Sequence, residues 1–142
     1  MMPTTFNGND DRQQIIAIIN HYFDGLHRGD AALLGRIFHP DVCLKTPGVR
    51  RSMTEWLNDV SERKSPEQLS LAFNFKIESL DIVKDQAMAK IHCPLFSFDY
   101  IDFLGLLKED GQWRIVSKMY TDVSVEVEKL RIRRKKTCLI ST

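Results

Sequence analysis

Leu69, Leu71, Phe73, Phe75 and Ile77 stand at every second position, and then the apolar set moves to even numbers with Leu80 and Ile82. Alternate residues of a strand share one face. A jump in parity therefore needs an extra residue, a β-bulge near Glu78-Ser79, if Leu80 and Ile82 are to stay on the face that Ile77 covers. A bulged strand bends, so the sheet built on it is curved. Residues 87–96, 98–108 and 112–120 read as further strands, which makes the second half of the chain a curved, mainly antiparallel sheet with one face to cover.

The first half supplies the cover. Asp11 with Gln14 three residues on forms a capping-box pattern, and Ile15, Ile19, Tyr22 and Leu26 fall on one helical stripe. Gly29 suits the helix end, and Asp30 can cap a second helix with Leu33, Leu34, Ile37 and Phe38 on its apolar face. His39-Pro40 stops that helix. A short strand over residues 42–46 and a Pro47-Gly48 turn follow. Ser52 and Glu55 form a second capping box, opening a helix with Met53, Trp56, Leu57 and Val60 on one face. The order α-α-β-α-β-β-β-β, with helices segregated from strands, is α+β.

The last hairpin, residues 98–120, carries Asp102 in the centre of an apolar strand. Two turns fit. Asp110-Gly111 alone, as a type I′ turn, sets Asp102 opposite Met119; Glu109-Asp110-Gly111, with a left-handed glycine, sets it opposite Lys118. The longer loop is favoured because it sorts the faces. It gathers Tyr100, Asp102, Lys118 and Tyr120 on one side and leaves Ile101, Phe103, Leu107, Trp113, Ile115 and Met119 on the other. Paired with Lys118, Asp102 would stay ionised with a lowered pKa. An apolar back face containing Ile101, Phe103, Trp113, Ile115 and Met119 implies a second copy of the chain as its cover.

Composition sets outer limits. With 142 residues, 43% hydrophobic and 27% charged, the chain reads as one globular domain over residues 1–142, with an N-terminal arm (1–10) and a C-terminal extension (124–142). No apolar run nears the roughly 20 residues of a membrane helix, and no signal peptide is apparent. Cys43, Cys93 and Cys138 are odd in number and far apart, which implies neither disulfides nor a metal site and a reducing cytoplasm. Residues 129–136 hold six of the 20 basic residues, leaving 14 against 19 acidic ones elsewhere. This basic run lacks interleaved aromatics, so nucleic acid is not an expected partner.

Two segments, YFDGLHRGDAALLGRIFHPDV and LLKEDGQWRIVSK, make the chain similar over about residues 11–125 to the nuclear transport factor 2-like superfamily. They resemble its bacterial branch described as "Putative lumazine-binding", near the SnoaL-like polyketide cyclases. The resemblance implies a cone: three helices packed on a curved sheet around a central pocket, assembled as a homodimer through the sheet. Against the ketosteroid isomerase members, the oxyanion tyrosine falls on Tyr22, the protonated oxyanion aspartate on Asp102 and a pocket tryptophan on Tyr120; this neutral Asp102 donor is the opposite of the ionised carboxylate paired with Lys118, which the register favours. Their general-base aspartate falls on Thr46, which cannot abstract a proton at neutral pH.

The expected pocket is therefore Tyr22, Trp56, Tyr100, Asp102, Lys118 and Tyr120, with Tyr22 and Trp56 also readable as plain core residues. Candidate catalytic groups are Tyr22, Asp102, His39 and His92, although His39 suits a helix-end cap and His92 a satisfied strand histidine. No cofactor motif is present. The expectation is a small-molecule-binding homodimer. The alternatives are an isomerase-, dehydratase- or cyclase-type enzyme on a small hydrophobic or polyketide-like substrate, and a protein-interaction module.

Overall fold

A computed structural model describes residues 8–124, without the side chains of Gly8 and Asn9. The basic run and Cys138 lie outside the described residues. The elements are α1 (Gly8–Arg28), α2 (Ala31–Ile37), β1 (Cys43–Thr46), β2 (Val49–Ser52), α3 (Met53–Glu62), β3 (Lys76–Val83), β4 (Gln86–Leu95), β5 (Phe98–Glu109) and β6 (Gln112–Asp122). The six strands form one sheet in the order β2-β1-β6-β5-β4-β3. All neighbours are antiparallel except β1 and β6. The α+β cone is present, with one strand more than the sequence suggests: Pro47-Gly48 joins a β1–β2 hairpin rather than leading straight into a helix.

Two of the expected helix starts form. Asp30 accepts from Leu33 N at 3.0 Å, and Ser52 and Glu55 close a reciprocal capping box. Gly25 lets α1 and α2 meet, since a Cβ there would stand 2.6 Å from Leu34 Cδ2. The stripe Ile15, Ile19, Tyr22 and Leu26 is buried against the inner face of the sheet, with Trp56 and Val60 of α3 beside it.

The bulge in β3 lies where the parity jump requires it: Ile77 pairs with Ile91 and Ser79 with Lys90, leaving Glu78 over. Leu80 and Ile82 then pair with the buried Ala89 and Ala87. The stretch before it departs from expectation. Leu69, Leu71 and Phe73 alternate as a strand would, but they precede β3, lie outside the sheet and are exposed. Ser70 in this stretch has a positive φ, which interrupts an extended run.

The β5–β6 hairpin uses neither expected register. Its tip is the two-residue Asp110-Gly111 loop, both residues at positive φ, with Glu109 opposite Gln112. Further in, Gly105 opposes Ser117 whereas Leu106 opposes Ile115, so Val116 is an extra residue. This second bulge brings Asp102 opposite Tyr120 and Leu104 opposite Lys118. Asp102 is thus diagonal to Lys118 rather than across from it. The bulge restores the parity that the short turn had changed, and Tyr100, Asp102, Lys118 and Tyr120 share the inner face after all. Between the bulge and the tip that parity is reversed. Trp113 and Ile115 therefore point inward, 3% and 0% exposed, and are core rather than back-face residues. The apolar outer face retains Ile101, Phe103 and Met119, joined by Met88.

Asp11 does not cap α1, which begins at Gly8. Its Oδ1 accepts from Trp113 Nε1 and from Lys108 Nζ, each at 3.0 Å, tying the first turn of α1 to the end of the hairpin. The Trp113 bond, opposed by burial and helped by Lys108, lowers its pKa. Asp11→Ala strands the buried indole N–H and should cost about 1–3 kcal/mol, read as a lower urea midpoint. Lys108→Met, which leaves the indole bond intact, should cost less; equal losses would show that the indole bond contributes nothing.

Candidate functional site

The inner face of the curved sheet and the helices α1 and α3 enclose a cavity of about 110 Å³. Each wall follows from local periodicity. Tyr22 comes from the α1 stripe and Trp56 from the apolar face of α3. Cys93 and Leu95 come from the inward set of β4, Tyr100 and Asp102 from β5, and Lys118 and Tyr120 from β6 beyond its bulge. All six residues expected of a pocket line this one space.

Its centre is polar. The Tyr22 hydroxyl donates to Asp102 Oδ2 at 2.8 Å, joining α1 to the middle of the sheet. Asp102 is 2% exposed, and its second oxygen, Oδ1, is buried with no hydrogen-bond partner among the described residues. Lys118 is 7% exposed and makes no ion-pair contact with Asp102. Its ammonium sits among ring faces, 4.5 Å from the centre of Trp56, 5.2 Å from Tyr22 and 5.4 Å from Tyr120. Such contacts stabilise a desolvated cation by up to about 2 kcal/mol.

The electrostatics reverse the sequence expectation for Asp102. Burial raises its pKa, and the Lys118 charge, the Tyr22 hydrogen bond and a weak bond from the Cys93 thiol only moderate that rise. Burial also lowers the pKa of Lys118, against the attraction of Asp102. Both groups are pushed toward their neutral forms. Tyr22 is pushed well upward by burial and by the adjacent carboxylate, so it remains a hydroxyl donor. Burial raises the Cys93 thiol strongly, which leaves it a poor nucleophile.

The candidate histidines are not brought here. His39 lies at the end of α2, its Nδ1 2.6 Å from Asp41 Oδ1, and His92 is on the outer face of β4, its Nε2 2.5 Å from Asp99 Oδ1. Neither lines the cavity, because one sits past a proline-terminated helix and the other has the opposite strand parity to Cys93. Thr46, at the end of β1, is also absent from the lining. Sequence reading missed Arg51, Arg63, Phe96 and Phe98 in the wall. Arg63 carries a usable signal, since it falls two helical turns beyond Trp56 on the same face. Among the described residues no group of three or more His, Cys, Asp or Glu could hold a metal ion, and no helix is long and apolar enough to cross a membrane.

The raised Asp102 pKa has a definite sign in stability. The folded protein retains the Asp102 proton at pH values where the unfolded chain, titrating near 3.8, has released it. Stability from this group is present below 3.8 and is lost as the pH rises through the folded-state value. Urea midpoints at successive pH values should show that fall in the wild type and not in Asp102→Asn. Parallel curves would mean that burial leaves the group's acidity unchanged.

A family model described as "Putative lumazine-binding" matches residues 10–121. Among solved structures, a nuclear transport factor 2-like protein of Shewanella baltica is similar at 22% identity and a TM-score of 0.71, covering 87% of this chain and 100% of that one. Another, from Silicibacter pomeroyi, is similar at 22% identity and a TM-score of 0.68, covering 82% and 99%. A de novo designed protein with a curved β-sheet is similar at 11% identity and a TM-score of 0.56, covering 80% and 98%. No curated protein matches the chain.

Proposed function

This chain belongs to the family described as "Putative lumazine-binding", within the nuclear transport factor 2-like superfamily, and from that premise we propose that it is a homodimeric small-molecule-binding protein whose ligand enters the cavity around Asp102. One observation carries the reading. A buried carboxyl with one oxygen bonded to Tyr22 and no donor beyond the weak Cys93 thiol for the other is a polar group awaiting a stronger partner, and an unsatisfied group of this kind costs about 1–3 kcal/mol. A ligand that reaches Oδ1 removes that cost. Ring faces and aliphatic side chains around a few convergent polar atoms are the usual composition of a ligand pocket.

Size narrows the ligand. An apolar cavity of about 150 Å³ admits benzene, so a space of about 110 Å³ suits a compound of one ring or a short chain.

An isomerase-, dehydratase- or cyclase-type activity is the second reading, favoured by the Tyr22–Asp102 pair, a donor arrangement suited to a developing oxyanion. The proton would have to be moved by Asp102 or Lys118, since His39, His92 and Thr46 are elsewhere. The protein-interaction module has less support, because it gives no role to the unpaired polar atoms inside.

The cavity reading is tested by titrating single-ring fragments into the labelled protein and following the two indole N–H resonances. Binding should move the Trp56 signal and leave Trp113, outside the lining, in place. A library that never moves Trp56 overturns it. For the dimer, Phe103 and Met119 are paired neighbours on the outer face, 43% and 45% exposed, with Met88 close by. Phe103→Lys should convert a dimer to a monomer in light scattering. A wild-type chain that is already monomeric would point instead to a different protein on this face.

A further inference from the structure

Three cations line the cavity, Arg51, Arg63 and Lys118, against the one carboxyl of Asp102. Two of the three are engaged. The Arg51 guanidinium is joined to Asp59, and the Lys118 ammonium is held among three ring faces. Arg63 differs. Its Nε and Nη2 are both buried and neither finds an acceptor. Its guanidinium carbon stands 5.0 Å from the centre of the Phe96 ring, which attracts the charge but accepts no conventional N–H hydrogen bond.

Nε and Nη2 share one edge of the guanidinium plane and present parallel donors, spaced to meet the two oxygens of a carboxylate. Leaving both unmade inside a protein is costly, and each such group calls for an explanation. The cavity thus holds two unmet demands: two donors at Arg63 and one carboxyl oxygen at Asp102. A further sign of stored cost lies beside Arg63. Phe96 has a φ of 56°, a left-handed conformation in which a bulky side chain is strained by about 1–3 kcal/mol. The tight link between β4 and β5 would take glycine without strain; the phenylalanine covers Arg63 instead.

Building on the small-molecule reading above, we propose that the ligand is a small organic acid whose carboxylate is taken by the Nε–Nη2 edge of Arg63 in two parallel hydrogen bonds, with Phe96 giving way and the acid's polar far end reaching Asp102. The planar two-oxygen acceptor fits the planar two-donor edge. Arg63, a lining guanidinium with no carboxylate partner among the described residues, gives an anionic ligand a favourable field. A single ring or short chain between the two ends suits the space available.

Matched probes test this. Benzoate and benzamide, and the smaller pair butyrate and butyramide, differ only in charge and in their fit to the guanidinium edge. Titrations followed by the Trp56 indole signal should show each acid binding at least about tenfold more tightly than its amide. Arg63→Met should erase that preference, and Arg63→Lys, which keeps the charge but not the fork, should reduce it. Ligand-free Arg63→Met should be at least as stable as the wild type, because the removed donors had no partner to strand. Amides that bind as well as acids, a preference that survives Arg63→Met, or a clear loss of ligand-free stability in that variant would each overturn the proposal while leaving the pocket standing. Failure of all four probes, when other fragments move Trp56, would also overturn it alone. Failure of every fragment would remove the pocket reading with it.

Discussion

One surplus residue, Val116, decides which side of the sheet most of β6 occupies. Because strand side chains alternate, a hairpin register wrong by one residue sends every one of them to the opposite face. The two-residue turn at Asp110-Gly111 by itself would put Lys118 and Tyr120 outside, and Trp113 and Ile115 inside. The bulge keeps the second pair inside and turns the first pair in as well. The same strand can therefore serve the hydrophobic core at one end and a polar cavity at the other. The bulge at Glu78 in β3 does the equivalent for Ile77, Leu80 and Ile82 on the far side of the sheet. Both insertions also bend their strands, and the bend is what leaves room between sheet and helices.

Into that room the fold places ionisable groups that are largely buried, Asp102 and Lys118 above all. The result is a balance of imperfect compensations. Tyr22 serves half of Asp102, aromatic rings serve Lys118, and only Asp59 gives Arg51 a full charge partner. A tight Asp102–Lys118 ion pair would have closed the account within the protein and left nothing for a ligand. Diagonal placement keeps the two groups within each other's field but out of contact, so each stays available.

The helices, the caps of α2 and α3 and the β3 bulge are legible in the sequence, because each depends on local spacing: Asp30 before Leu33, Ser52 before Glu55, the parity jump after Ile77. The six cavity residues are legible for a weaker reason. The grouping of Tyr100, Asp102, Lys118 and Tyr120 follows from sorting polar from apolar residues, which gives the right parity even when the turn is wrong. The bulge at Val116 leaves no such trace, since Ile115 and Val116 are both apolar and either can be the surplus residue. Sorting by polarity alone therefore puts Trp113 and Ile115 on the wrong face. The partners of Asp11 and the orphan edge of Arg63 are not local at all. They arise from chain segments brought together across most of the domain, and residue spacing carries no record of them.

The parallel pairing of β1 with β6 has a consequence for how the molecule is made. Leu44 lies beside Lys118, about half the chain away, and β2 reaches the rest of the sheet only through β1. Every other strand pair is a hairpin of sequence neighbours. On a ribosome the β1–β2 ribbon emerges early and has no sheet to join until β6 appears. Contacts of such long sequence separation are slow to close. The wall containing Leu44 and Arg51 is thus completed only once β6 has emerged, and a nascent chain halted at the hairpin tip would carry its helices and five strands without a finished cavity.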